Sequence, residues 1–341
     1  MSLMKAGQYL SEKKLGLSQI EKPSVKDGEA LVKVSFAGIC GTDMMIYFGK
    51  HPRAKAPLTM GHEFSGVIEE IADGSSFTIG DRVVVEPTIS CGQCPACQSG
   101  HANVCKTLRL IGIDMDGGFA EYVAVPINRL HKIPDELPAS IAAFTEPVAV
   151  AVHSVRKSDL LVGENVAILG AGPIGLLIGM VAKLNGANNI FISDISPYRL
   201  AKAEELGFIS LDARKVNVTE EILSRTNGHG VDVVFEVAGS QITANQMVEI
   251  VKTRGQIVVV SVFKQPPTID FAKMHYNEIS LTTTRCYSRD DFSTAISLMA
   301  QGKIDVAPII SHELPIEELE QGFSLMGNPD ESLKILIKPS M

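Results

Sequence analysis

The chain has 341 residues, enough for two ordinary domains of about 100–200 residues each. Its 45% apolar and 21% charged residues are the balance of a globular protein, which excludes a disordered or low-complexity chain. A formal net charge of -8 leaves no electropositive footprint for phosphates and so excludes nucleic acid as the partner.

At the amino terminus there is no charged start followed by an apolar run, so no secretory signal is expected. Residues 1–3 read as an added segment ahead of a start at Met4. Through residue 140 the pattern is β-rich, with apolar or alternating runs at 30–36, 66–71 and 82–85 punctuated by Gly, Pro and Asp turns. Strands so unevenly spaced predict an irregular barrel-like domain rather than a βαβ sheet. Two short polar signals interrupt them. Cys40 stands in Ala-Gly-Ile-Cys-Gly-Thr-Asp (37–43), and His62 and Glu63 stand in Met-Gly-His-Glu-Phe-Ser-Gly (60–66).

Four of the six cysteines then follow as Cys91-x2-Cys94-x2-Cys97-x7-Cys105. In a reducing compartment such a cluster is a metal site rather than a disulfide framework. The short intervals let the loop fold back and offer a tetrahedron of thiolates at about 2.3 Å, which suits zinc and leaves no position for water. Such a site holds structure together. An iron–sulfur cluster is the chemical rival, and the lack of a second cluster motif counts against it.

Glu146 comes next, in Phe-Thr-Glu-Pro-Val-Ala (144–149). Singly, a Gly-His-Glu reads as a turn, and a Glu-Pro reads as a helix start. Together, Cys40, His62 and Glu146 offer thiolate, imidazole and carboxylate, three ligands suited to a catalytic zinc with its fourth position open. Such an ion lowers the pKa of a bound alcohol, by analogy with zinc-bound water brought to ~7.

From residue 165 onward, apolar strands alternate with helix-period segments at 165–169, 173–184, 190–193 and 198–206, and further strands fall at 231–237 and 256–262. That alternation predicts a parallel sheet covered by helices on both faces. The uncharged apolar run at 173–182 is far short of the ~20 residues that span a bilayer, so no membrane partner is expected. The cytoplasm is the expected location.

The strand at 165–169 runs into Gly170-Ala171-Gly172-Pro173-Ile174-Gly175, a G-x-G-x-x-G in the strand–turn–helix setting of a dinucleotide site. Gly170 permits the tight turn, Gly172 lets the backbone approach the pyrophosphate, and Gly175 allows close helix–strand packing. Pro173 and Ile174 open the helix whose amino terminus faces the phosphate charge. Asp194 ends the next strand, where a carboxylate accepts the ribose hydroxyls of NAD and repels the extra phosphate of NADP. NAD is the expected cofactor. Arg199 either flanks the adenine or solvates its helix. The tail carries a helix at 291–301 and a last strand at 333–337, and is expected to rejoin the first domain.

These motifs, in this order and over essentially the whole chain, resemble the zinc-containing medium-chain dehydrogenase/reductase family, and within it the sorbitol, threonine and butanediol dehydrogenase branch. The resemblance implies an α/β fold. A Rossmann doubly wound parallel sheet would occupy 147–277, and a GroES-like irregular β-barrel catalytic domain 1–146 and 278–341, with a cleft between them. It implies two zinc ions per chain. A structural ion would sit on Cys91, Cys94, Cys97 and Cys105, and a catalytic ion on Cys40, His62 and Glu146, with Glu63 as a neighbouring or exchangeable ligand. Glutamate rather than cysteine at position 146 resembles the polyol and threonine branch.

Thr42 matches the hydroxyl that passes the substrate proton onward, and Asp43 the carboxylate that orients His62. Many members carry histidine three residues after that hydroxyl; here the position is Met45. The relay is therefore expected to end in the ribose hydroxyl, in water or at His51. Arg285 resembles a polar position that reaches substrate or nicotinamide, while His153 reads as an interior histidine and Cys286 as a small buried hydrophobe. A homodimer or homotetramer joined partly through Rossmann-sheet edges is implied.

The expected reaction moves hydride from a secondary alcohol, a polyol or diol such as sorbitol or 2,3-butanediol, to NAD. L-Threonine and sugar-alcohol phosphates are the alternative substrates on the same scaffold. A non-catalytic NAD-binding redox sensor is the rival from another class, and it would have little need for Cys40, His62 and Glu146 together.

Overall fold

Val32 and Val34 are fully buried in the strand Glu29–Gly38, around which the first of two units is built. The structure is a computed structural model that describes residues 2–72 and 75–340. Its two units are Met1–Glu146 with Ser288–Met341, and Pro147–Tyr287.

In the first unit, β-branched and aromatic residues make a seven-stranded sheet. Six strands lie side by side in the order Leu130–Lys132, Arg82–Val85, Glu63–Ile71, Glu29–Gly38, Lys334–Lys338 and Ile310–Pro315. The seventh, Tyr122–Pro126, pairs with the earlier part of Glu29–Gly38. A smaller sheet joins Leu3–Ser11 to Lys14–Glu21 and Leu58–Thr59. The carboxyl-terminal strand returns to the amino-terminal half, with Ile337 opposite Ala37 and Leu336 opposite Gly38. The core between these layers holds Phe64, Phe119 and Phe323, and Phe119 meets Phe323 edge to face at 6.2 Å. Each such side chain contributes about 1.5–3 kcal/mol by leaving water.

The second unit is a six-stranded sheet in which every pairing is parallel. Val166–Leu169 is central. Ile190–Asp194 and Ile209–Asp212 lie on one side, and Val231–Glu236, Val251–Val259 and Ser280–Thr283 on the other. In chain order this is 3-2-1-4-5-6, the doubly wound arrangement. All four residues of Val166–Leu169 are buried, as a strand covered on both faces requires.

Two boundaries differ from the sequence reading. The strand expected at 256–262 occupies Val251–Val259. The sheet then continues through Ser280–Thr283, so the second unit runs to Tyr287 rather than ending at 277. That strand lies at the sheet edge with mostly exposed residues, so it carries no apolar run to announce it. Among the described residues, no helix is long and apolar enough to cross a membrane.

Candidate functional site

Past Gly38 the chain turns into the short helix Gly41–Tyr47, with Cys40 at its cap. The Cys40 N–H donates to Asp43 Oδ2 at 2.9 Å, which ties the thiol-bearing residue to a fully buried carboxylate. The other oxygen, Asp43 Oδ1, lies 3.5 Å from His62 Nδ1. His62 is itself held by a backbone strap in which Gly117, Gly118 and Phe119 donate to the carbonyls of Thr59, Gly61 and Met60 at 2.8–2.9 Å. Strand Glu63–Ile71 begins at the next residue.

Ligand atoms of Cys40, His62 and Glu63 thereby fall within 4.8 Å of one another. Thiol, imidazole and carboxylate are the donor chemistry of a catalytic zinc, and these residues, with His62 and Glu63 buried and Cys40 half-buried, fit one. Burial alone would lower the His62 pKa, but the negative charges of Asp43 and Cys40 outweigh it and raise it well above 6.5. A field that attracts a proton to His62 equally attracts a divalent cation.

Lys334 is the residue that the sequence reading missed. It opens the strand Lys334–Lys338, is 2% exposed, and ion-pairs with Glu63 Oε2. Burial would lower its pKa, yet the charges of Glu63, Cys40 and Glu146 raise it. A lysine at the head of the otherwise apolar run Ile335–Ile337 was the signal available, since a buried cation requires a partner.

Glu146 occupies the first turn of helix Thr145–Arg156 and is half-buried. It is outside the group of three gathered within 4.8 Å, while its charge acts on Lys334 beside them. Thr42 and Met45 are both half-buried on Gly41–Tyr47. His51 Nδ1 accepts the N–H groups of Ala54 at 3.2 Å and Arg53 at 3.4 Å. Burial and the Arg53 charge lower its pKa. His153 is buried, Cys286 is half-buried with φ 49°, and Arg285 is exposed.

The second thiol group is built on one loop. Cys94 precedes the single-turn helix Pro95–Gln98, which carries Cys97, and Cys105 follows the 3₁₀ turn Ala102–Val104. The sulfurs of Cys91, Cys94, Cys97 and Cys105 lie within 4.8 Å of one another, with Cys94–Cys97 and Cys91–Cys105 at 3.5 Å. Those spacings are far beyond the ~2.05 Å of a disulfide and suit four thiolates around one ion. The N–H groups of Gln93 and Cys94 bring the Cys91 pKa down to about 6. Burial and the Cys94 and Cys105 sulfurs push Cys97 up to about 11.

In the second unit, strand Val166–Leu169 turns at Gly170 into helix Pro173–Leu184, capped by Gly172 with no side-chain hydrogen bond. The close packing at Gly175 requires glycine, because a Cβ there would stand 1.9 Å from the Gly170 carbonyl oxygen. Asp194 ends its strand with both oxygens engaged. Oδ2 accepts the Ala171 N–H at 2.8 Å, and Oδ1 accepts those of Ile195 and Ser196 at 2.8 and 2.9 Å. The carboxylate is thus anchored against the glycine turn. Arg199 lies on helix Pro197–Glu205, and its guanidinium would be 3.7 Å from a Cβ at Gly172. Glu236, fully buried at the end of Val231–Glu236, accepts the N–H groups of Ala238 and Gly239 and the Thr243 hydroxyl. It braces the loop that packs against Gly170, a role that no local motif announced.

The chain matches the alcohol dehydrogenase GroES-like domain family over residues 26–135 and the zinc-binding dehydrogenase family over residues 173–301. A 2-dehydro-3-deoxy-L-galactonate 5-dehydrogenase from Pseudoalteromonas atlantica is 37% identical over 337 residues, covering 98% of each chain. The crystal structure of 2R,3R-butanediol dehydrogenase from Bacillus subtilis superposes with a TM-score of 0.92 at 35% identity, covering 99% of this chain and 100% of that one. A structure described as a zinc-binding dehydrogenase from Sinorhizobium meliloti, bound to NADP, gives 0.94 at 34% identity with the same coverage.

Proposed function

The chain belongs to the zinc-containing medium-chain alcohol dehydrogenase family, and from that premise we propose that it transfers hydride from a secondary hydroxyl of a polyol or diol, such as sorbitol or 2,3-butanediol, to NAD. The observation that carries this reading is the convergence of Cys40, His62 and Glu63 beside a fully buried Asp43.

In this proposal Cys40, His62 and Glu146 hold the catalytic zinc, with Glu63 alongside, and Cys91, Cys94, Cys97 and Cys105 hold the structural one. Bound there, the catalytic ion supplies the Lewis acidity that lowers the pKa of an alcohol hydroxyl. Asp43 faces His62 Nδ1 and so leaves Nε2 for ligation, the orienting role that metal-bound histidines commonly require. Thr42 accepts the substrate proton. With Met45 in the place of a relay histidine and His51 Nδ1 engaged by its own loop, the proton leaves through the cofactor ribose or water.

In the second unit, Gly170, Gly172, Pro173, Ile174 and Gly175 form the pyrophosphate turn, and Arg199 flanks it. Asp194 brings a negative charge to the ribose position, which supports NAD over NADP because a 2′-phosphate would be repelled. The relative from Sinorhizobium meliloti was solved with NADP, which makes cofactor choice a matter for direct comparison. The exposed edge strand Ser280–Thr283 supports a homodimer or homotetramer, and the cytoplasm is the proposed location.

The test is reduction of NAD and of NADP over sorbitol, xylitol, 2,3-butanediol, threonine and sugar-alcohol phosphates, with and without chelator. Chelator-sensitive NAD reduction by a polyol or diol is expected. Turnover confined to threonine or to a phosphorylated alcohol would move the assignment to that substrate. An absence of turnover together with NAD binding would favour the sensor reading.

A further inference from the structure

Glu63 and Lys334 lie on strands that do not pair with each other. The sheet order is Glu63–Ile71, Glu29–Gly38, Lys334–Lys338, so the two side chains meet only by crossing the middle strand, a span of roughly 9–10 Å between backbones. They cross at Gly38, which pairs with Glu63 on one side and with Leu336 on the other. A Cβ at Gly38 would stand 2.5 Å from Glu63 Oε2 and 2.8 Å from Lys334 Cε. Any side chain at that position would fill the space in which the ion pair is made.

The pair is also fully enclosed, with Glu63 1% and Lys334 2% exposed. Desolvation offsets much of the attraction in a buried pair, so its presence is weak evidence of a stabilising role. Its location suggests another. The Glu63 carboxylate is within 4.8 Å of the Cys40 thiol and a His62 ring nitrogen, close enough to be drawn to an ion held there, while Oε2 is engaged by Lys334. Ammonium and metal would compete for one carboxylate.

We propose that Gly38, Glu63 and Lys334 form a restraint that keeps Glu63 out of the coordination sphere of the zinc at Cys40 and His62. Lys334 thereby sets how fast that ion exchanges and whether a coordination position stays open. It is a positioning residue, acting through Glu63 and touching no reacting atom. Without it, the buried carboxylate loses its counter-ion and turns to the nearest cation, closing the site. The inference rests on the proposed zinc ligands.

The experiment follows zinc release from the intact protein to a chromogenic chelator, the relevant phase being the one absent from Cys40→Ser. Visible absorption of the cobalt-substituted protein reports coordination. Lys334→Met is expected to slow that phase by about 10–100-fold and to shift the cobalt bands, and Lys334→Arg to retain the parental behaviour. In a Glu63→Gln background, Lys334→Met should have no effect on release. Gly38→Ala, whose methyl group would fill the space in which the ion pair is made, should slow the same phase, which keeps the test available if Lys334→Met does not fold.

An unchanged rate in Lys334→Met overturns the proposal. So does an equal slowing in both backgrounds, which would be a plain field effect, or a parental rate in Gly38→Ala. If the parental protein shows no Cys40-dependent phase, the ligand assignment itself falls, and the restraint falls with it.

Discussion

Asp194 and Glu86 show how single carboxylates are fixed in this protein for different ends. Asp194 is anchored by three backbone N–H groups, one of them from the glycine turn. Asp194→Ala removes that brace and the proposed ribose acceptor together. It is expected to lower kcat/KM for NAD by about tenfold or more, the loss of one or two hydrogen bonds to a charged group, and to raise kcat/KM for NADP relative to that for NAD. An unchanged ratio of the two kcat/KM values would contradict the role. Glu86 is buried in the first unit, which pushes its pKa up, but hydrogen bonds from His131 and Thr88 and the charge of Arg129 outweigh this and hold it below 4.5. A carboxylate depressed in the folded state contributes stability that is present above its unfolded pKa of about 4.5 and is lost as pH falls through the folded value. Glu86→Gln should therefore lower the urea midpoint at pH 7 far more than at pH 3, and equal losses at both would count against the network. At this scale the sequence was readable wherever chemistry is set by local spacing, as for the cysteine loop. Lys334 was not readable, because its partner Glu63 is 271 residues away and two strands across.

Among the elements, the turn Gly170–Gly175 and the helix after it are the most constrained. Gly175→Ala places a methyl group 1.9 Å from the Gly170 carbonyl oxygen, so strand and helix must separate. The expected loss is about 1–3 kcal/mol of stability, with weaker NAD binding measured by titration calorimetry. A variant with parental melting temperature and NAD affinity would mean that the turn relaxes freely. The alternation of apolar strands and helices made this half of the fold legible, since two-sided burial writes itself as continuous apolar runs such as Val166–Leu169. Ser280–Thr283 escaped notice for the opposite reason, because a half-exposed edge strand obeys no such pattern.

For the whole molecule, that edge strand has a consequence. One side of Ser280–Thr283 pairs with Val251–Val259, and the strand ends the sheet, with Leu281 37% exposed and the nearby Tyr276 83% exposed. An unpaired sheet edge bearing apolar groups is a template for another strand. If copies of this chain associate there, Leu281→Lys should lower the mass measured by light scattering at micromolar concentration, and an unchanged mass would place the interface elsewhere. The chain leaves the first unit at Glu146 and returns at Ser288, so the cysteine loop, Cys40, His62, Glu63 and Lys334 all belong to one unit while the glycine turn belongs to the other. The central claim is that these groups make a zinc-dependent dehydrogenase. Its most direct test is zinc content per chain, measured alongside NAD reduction, in the parental protein and in Cys40→Ser. Two zinc ions and chelator-sensitive turnover are expected in the first, and one ion with turnover abolished in the second, matching the two ligand groups. A Cys40→Ser protein that keeps both ions, or turns over at the parental rate, would contradict it.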